Sequence, residues 1–347
     1  MKRSLIALAA LAVVGAASAQ SSVTLFGVVD ATVAIGNGDT ANKTQLTNSG
    51  YNSSRFGVRG VEDLGGGLKA SFHLEAGVNN DNGAGAATND NNQAAVSTTI
   101  GRTQGLTFNR KSVVSLMGGM GEIRLGRDYT PQFWSFTVFD PFGTNGVGTT
   151  QALNSSGGGQ TIVRASNSIA YLSPTVSGFA VWAQTYFGEN LSTAASQAGD
   201  GSAVRLTYDN GPLSLALAYA KTTTSASTDV QTTNVAGSYN LGVAQLMGFW
   251  NKDANTGVAD VTGYTLGALI PAGPGTVRVS FSNSDNGTAK TDKFALGYVY
   301  DFSKRTSVYG TFASLSNSGG AAQALNGAVT PANGSSTGFD LGIKHTF

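Results

Sequence analysis

Thr337-Gly338-Phe339-Asp340-Leu341-Gly342-Ile343-Lys344-His345-Thr346-Phe347 closes the chain. Phe339, Leu341, Ile343, His345 and Phe347 share one parity; Asp340, Gly342, Lys344 and Thr346 share the other. Successive side chains of a strand point to opposite faces, so this ribbon has one apolar and one polar face. An aromatic at the end of the apolar face suits a strand that stops at a membrane interface.

The same alternation recurs upstream. Phe294, Leu296, Tyr298, Tyr300 and Phe302 oppose Lys293, Ala295, Gly297, Val299 and Asp301. Leu213, Leu215, Leu217 and Tyr219 oppose Ser214, Ala216 and Ala218, and Val204, Leu206 and Tyr208 oppose Arg205, Thr207 and Asp209. Residues 261–270 and 307–315 give no clean parity. In a soluble protein the apolar face would be core. Here it is expected to meet lipid, with the aromatics as girdles.

Candidate strands begin near Val23, Arg55, Leu68, Leu106, Gly121, Arg164, Phe179, Ala203, Leu213, Thr233, Val243, Val261, Thr276, Lys293, Thr306 and Thr337. That makes sixteen, an even number, as a closed antiparallel barrel requires if both ends lie on one side. Connections alternate between tight turns, such as Asn210-Gly211-Pro212 and Asn240-Leu241-Gly242, and longer Asn-, Ser- and Gly-rich stretches such as 79–99, 188–202, 254–260 and 316–336. The fold class expected is therefore all-β: a transmembrane antiparallel β-barrel of 16 strands.

The amino end is consistent with export to such a site. Lys2 and Arg3 precede an apolar run from Leu5 to Ala17, and Ala17-Ser18-Ala19 is a small-residue cleavage site. Residues 1–19 are read as a signal peptide and 20–347 as the barrel. No other uncharged apolar stretch approaches the ~20 residues of a membrane helix. The mean hydropathy of -0.02 suits a wall that is greasy outside and wet inside.

Composition narrows the chemistry. There is no cysteine, which excludes a thiol nucleophile, a disulfide framework and a Cys-ligated metal. The two histidines, His73 and His345, are too few for a histidine-built zinc site. His345 lies on the lipid-facing parity and His73 has no catalytic partner visible in sequence, so an enzyme is not expected, nor a metal or cofactor. Without Lys2 and Arg3 the 21 basic residues fall to 19 against 20 acidic ones, and nothing suggests nucleic acid.

Residues 130–161 form one connection unlike the rest. It holds Phe133, Trp134, Phe136, Phe139 and the turn Asp140-Pro141-Phe142-Gly143. A loop this long and this aromatic is rarely left in solvent; it is expected to fold against the barrel, either as a lid or, on the sharper reading, as a constriction loop folded into the lumen.

Several ordered stretches carry a resemblance. They are Ser21-Ser22-Val23-Thr24-Leu25-Phe26-Gly27, Ser54-Arg55-Phe56-Gly57-Val58-Arg59-Gly60-Val61-Glu62-Asp63-Leu64-Gly65, Leu125-Gly126-Arg127-Asp128-Tyr129, Phe139-Asp140-Pro141-Phe142-Gly143, Asn167-Ser168-Ile169-Ala170-Tyr171 and the terminal Phe347. In order and spacing the chain resembles the Gram-negative general-diffusion porins, specifically the porin family of β-proteobacteria. The resemblance implies a homotrimer of barrels in the outer membrane, set among its lipid and lipopolysaccharide. Each barrel passes small hydrophilic solutes and anions through its own channel, with the third outer loop bent inward. It implies Arg55, Arg110 and Arg164 as wall bases, faced by the acids Glu75 and Asp140, and places Arg127 near the trimer contact.

Parity independently puts Arg55, Gly57 and Arg59 on one face, Ser71, His73 and Glu75 on another polar face, and Arg124 inward between Ile123 and Leu125. Charge on the lipid face would cost roughly 2–4 kcal/mol at the midplane, so these groups are expected in the lumen. Val28 stands where some relatives carry a base, with Asp30 the nearby charge. Three arginines against two acids, with Arg59 and Arg124 adding to them, predict a modest anion preference. The alternative is a solute-specific, sugar-type channel with the loop aromatics as a slide.

Overall fold

The computed structural model describes residues 22–93, 105–154, 161–257 and 259–347. Residues 1–19, read from the sequence as a signal peptide, lie outside these. Eighteen strand segments join in one antiparallel sheet: β1 Ser22–Gly38, β2 Lys43–Asn48, β3 Arg55–Gly65, β4 Leu68–Asn79, β5 Ala84–Gly85, β6 Lys111–Gly118, β7 Gly121–Tyr129, β8 Arg164–Leu172, β9 Phe179–Tyr186, β10 Gly201–Asn210, β11 Leu213–Thr223, β12 Asp229–Asn240, β13 Gln245–Asn255, β14 Val261–Ala272, β15 Gly275–Asp285, β16 Lys290–Asp301, β17 Thr306–Ser318 and β18 Ser335–Thr346.

The sheet closes where β18 pairs with β1, from Val28↔Thr346 to Gly38↔Ser336. Below that ladder Gly27 and Phe347 exchange backbone hydrogen bonds of 3.0 and 3.1 Å. The wall has sixteen columns because two segments add none. β5 is a two-residue pairing at the end of β4. β2 and β3 share one column, since both pair with β1, Asn48 opposite Ala31 and Arg55 opposite Val28. Between those points β1 advances three residues and its partner seven. The surplus, residues 49–54, leaves the wall as an excursion. Sequence patterning did not anticipate this break, because nothing in the 43–55 stretch alternates strongly enough to mark two segments.

One strand start needs correction. The column expected from Leu106 begins at Lys111. Asn109 Oδ1 accepts the Gly77 N–H at 2.8 Å, so a side chain takes the place of the next ladder partner. Leu106 and Phe108 are left exposed in the preceding loop.

Outward and inward faces follow the alternation. Phe339, Leu341, Ile343 and Phe347 are exposed on the outer surface while Asp340 is buried inside. Leu215, Leu217 and Tyr219 face out; Ala216 and Ala218 face in and are buried. The two stretches without clean parity resolve here. Tyr264, Leu266 and Ile270 face out, with Thr265 buried inside. On β17 the inward set is Ser307, Tyr309, Thr311, Ala313 and Leu315. It includes apolar residues because Ala313 and Leu315 pack with Phe142, Val147 and Leu325 inside the barrel. A dry patch on the lumenal wall erases the polar half of the pattern.

The outer face is apolar because hydrocarbon offers charge no hydration. Leu217→Arg, near the middle of β11, is expected to cost about 2–4 kcal/mol of folding stability. Reversible folding into lipid vesicles, followed by denaturant titration, measures it.

Candidate functional site

The 130–161 connection enters the barrel. Pro131–Phe139 is a helix with proline in its first turn, the position that needs no N–H. Its Phe133, Phe136 and Phe139 pack against the inward-facing Ala216, Ala236 and Phe249, with the Phe136 and Phe249 centroids 4.4 Å apart. Small wall residues make room: a Cβ at Gly263 would strike Ala152, and one at Gly297 would press on Phe142. Polar anchors finish the mooring. Asp340 Oδ2 accepts the Val147 N–H at 2.7 Å, and Lys293, itself buried, donates to the carbonyls of Val147 (3.1 Å) and Thr149. The Asn234 amide donates to the Gln132 carbonyl at 3.1 Å.

Beside the loop lies a cavity of about 920 Å³. Glu75 stands at its centre of charge. Arg110 Nε is 2.6 Å from one carboxylate oxygen, Arg55 Nε 3.8 Å and His73 Nε2 3.4 Å from the other. The Tyr129 hydroxyl accepts from Arg110 at 2.6 Å and from Arg164 at 2.7 Å. Arg164 also lies over the Tyr129 ring, 4.2 Å from its centroid, and donates to the Arg110 carbonyl at 2.9 Å. Arg110 precedes β6 and so escapes that strand's alternation, which lets its guanidinium turn to Glu75.

The structure thus brings Arg55, Arg110, Arg164 and Glu75 together and separates three other residues singled out in the sequence. Asp140 does not face the cavity. Its buried carboxylate accepts the N–H groups of Phe142, Thr144 and Thr150, each at 3.0 Å. An acid ahead of a tight turn, with Gly143 at φ 59°, caps its own backbone. Burial pushes this carboxyl above its ordinary pKa against the pull of those donors and of Lys293. Arg124 lines the cavity but is neutralised, bound to Glu122 at 2.9 Å and Asp128 at 2.5 Å, with Lys111 3.0 Å from Asp128. Arg59 packs over Phe26, 5.1 Å from its centroid, outside the cavity lining. The unneutralised cluster is three guanidiniums to one carboxylate, where sequence counted three to two.

Tyr129, Lys111, Arg205, Arg278 and Tyr51 also line the cavity and were not singled out as site residues. The parity that placed Arg205 inward was legible; Arg278 stands likewise opposite Val277 and Val279. Tyr51 had no such signal, since it rides on the excursion. The excursion also joins the loop, through a 2.8 Å hydrogen bond from Ser53 to Asn145.

A closed barrel, greasy outside, with a charged cavity pinched by an inward loop, defines a channel protein of the outer membrane. The chain belongs to the Gram-negative porin family, whose profile matches residues 5–320. It is 38% identical to outer membrane porin protein 32 of Delftia acidovorans over the whole of both chains, and 29% identical to an outer membrane porin protein of Bordetella pertussis, again end to end. Among solved structures, the anion-selective porin from Comamonas acidovorans superposes with a TM-score of 0.82 at 35% identity, covering 94% of this chain and all of that one. The chain is an outer-membrane porin, a passive channel for ions and small hydrophilic solutes.

Proposed function

We propose that this porin is a general-diffusion channel with a modest preference for anions. It works as a homotrimer in outer-membrane lipid and lipopolysaccharide, without cofactor and without chemistry on the solute. The observation that carries the reading is the cluster of Arg55, Arg110 and Arg164 around the single carboxylate of Glu75. Arginine keeps its charge at any physiological pH. A ring of basic side chains in a narrow aqueous passage attracts anions and repels cations. The relative described as anion-selective points the same way, and family membership supports the trimer.

Four of the five loop aromatics argue against a sugar slide, because Phe133, Phe136, Phe139 and Phe142 are buried in packing the loop to the wall, and Trp134 alone of the five is exposed at the cavity. Reconstituted protein under a salt gradient should give a reversal potential of anionic sign. A strong cation preference would refute the reading of the arginines. Saturable block by one sugar, but not by others of equal size, would favour the specific channel.

A further inference from the structure

Arg278 differs from the other arginines of the cavity. Arg55, Arg110, Arg124, Arg164 and Arg205 each donate to a protein oxygen. Among the described residues Arg278 donates to none and forms no ion pair. It is nevertheless fixed. Its guanidinium carbon lies 4.4 Å from the Tyr51 ring centroid and 5.9 Å from that of Phe142. Lys344 Nζ stands 5.0 Å from the same Tyr51 ring.

Both aromatic plates are rigid. Tyr51 sits in the 49–54 excursion, whose Tyr51 and Asn52 N–H groups donate to the buried Asp30 carboxylate at 2.9 and 2.7 Å. Gly50 N–H donates to Thr32 Oγ1 at 3.1 Å. Phe142 is buried in the turn that Asp140 caps. A guanidinium has five N–H donors in one plane. None of these five is taken by a protein acceptor among the described residues, and Arg278 lines the cavity, so its donors are free for a partner there.

We propose that Arg278, clamped by Tyr51 and Phe142, is an oxyanion-docking site of the channel, separate from the Arg55–Arg110–Arg164 cluster, that takes the carboxylate of a permeating solute. The planar fork matches a carboxylate through two parallel hydrogen bonds, and Lys344 adds a second positive charge nearby. The 49–54 excursion is then a second pore-shaping element beside the inward loop, and Tyr51 a positioning residue. The site rests on the cavity being part of an open passage, which stepwise conductance of the unsubstituted protein in potassium chloride checks first and separately.

The test titrates acetate, at constant ionic strength, against chloride conductance in planar bilayers, with inorganic phosphate as a second arm. Acetate should reduce the chloride current saturably. Arg278→Lys keeps the charge and loses the fork, so it should weaken that effect roughly fivefold. Tyr51→Leu should weaken it roughly threefold by freeing the guanidinium. If one variant fails to insert, the other carries the measurement. Unchanged acetate response in the inserted variants would overturn the proposal. An effect confined to phosphate would overturn the assignment to carboxylates.

Discussion

Replacing Arg55 and Arg110 together by glutamine is expected to lower the anion-over-cation permeability ratio roughly five- to tenfold. In water a unit charge acts on an ion about 7 Å away with about 0.6 kcal/mol. A Debye length of about 10 Å at 0.1 M salt removes about half of that. Two charges, each favouring anions and opposing cations, then give a factor of this size. The double substitution leaves Arg164 against Glu75, one positive charge to one negative, in place of three to one. Reversal potentials at two salt concentrations measure it, and the shift should shrink as salt rises. No shift at low salt would place both arginines outside the ion path. Arg59→Gln provides the internal contrast. That side chain packs over Phe26 away from the cavity lining, so its removal should move the ratio much less.

The second large effect concerns the mooring of the inward loop. Phe136→Ala with Phe139→Ala removes two rings that are almost wholly buried, one of them packed on Phe249. A buried Phe→Ala change costs about 3–5 kcal/mol where the site does not collapse. That loss falls on the loop rather than on the wall, because the barrel ladders do not pass through the helix Pro131–Phe139. The expected outcome is a correctly inserted barrel whose open-channel current is noisier and whose mean conductance is higher, as the loop leaves its seat. Single-channel recordings measure both. Quiet channels of unchanged conductance would show that Asp340, Lys293 and the other polar anchors hold the loop without the aromatics.

How much of this was legible before the structure varies by element. The terminal strand announced its two faces outright, and so did β11 and β16, since their outer positions are large and apolar and their inner ones small or polar. β17 did not, because Ala313 and Leu315 face a dry patch under the inward loop. Alternation reports the solvent on each side of the wall, and there the inner side is protein. Arg55 and Glu75 were placed inward by parity within single strands. Arg110 and Arg164 came in through family resemblance, and Arg110 in particular sits off the end of its strand where parity has no force. Asp140 matched a family position, yet a carboxylate followed by Pro-Phe-Gly satisfies its own turn first.

The sequence alone determined the class of fold, the count of wall columns, the side that meets lipid for the strands with clean alternation such as β11, β16 and β18, and the presence of one aromatic loop too long to stay in solvent. These are consequences of a period of two in hydrophobicity, which is local and written along the chain. Tertiary structure decided which charges remain unneutralised, that Arg124 is cancelled while Arg278 is not, that residues 49–54 leave the wall, and that Phe136 and Phe139 hold the loop while Trp134 is left exposed at the cavity. Those outcomes depend on distances between strands far apart in sequence. Electrostatic and hydrogen-bond energies change steeply over a few ångströms, and linear spacing carries no record of such distances.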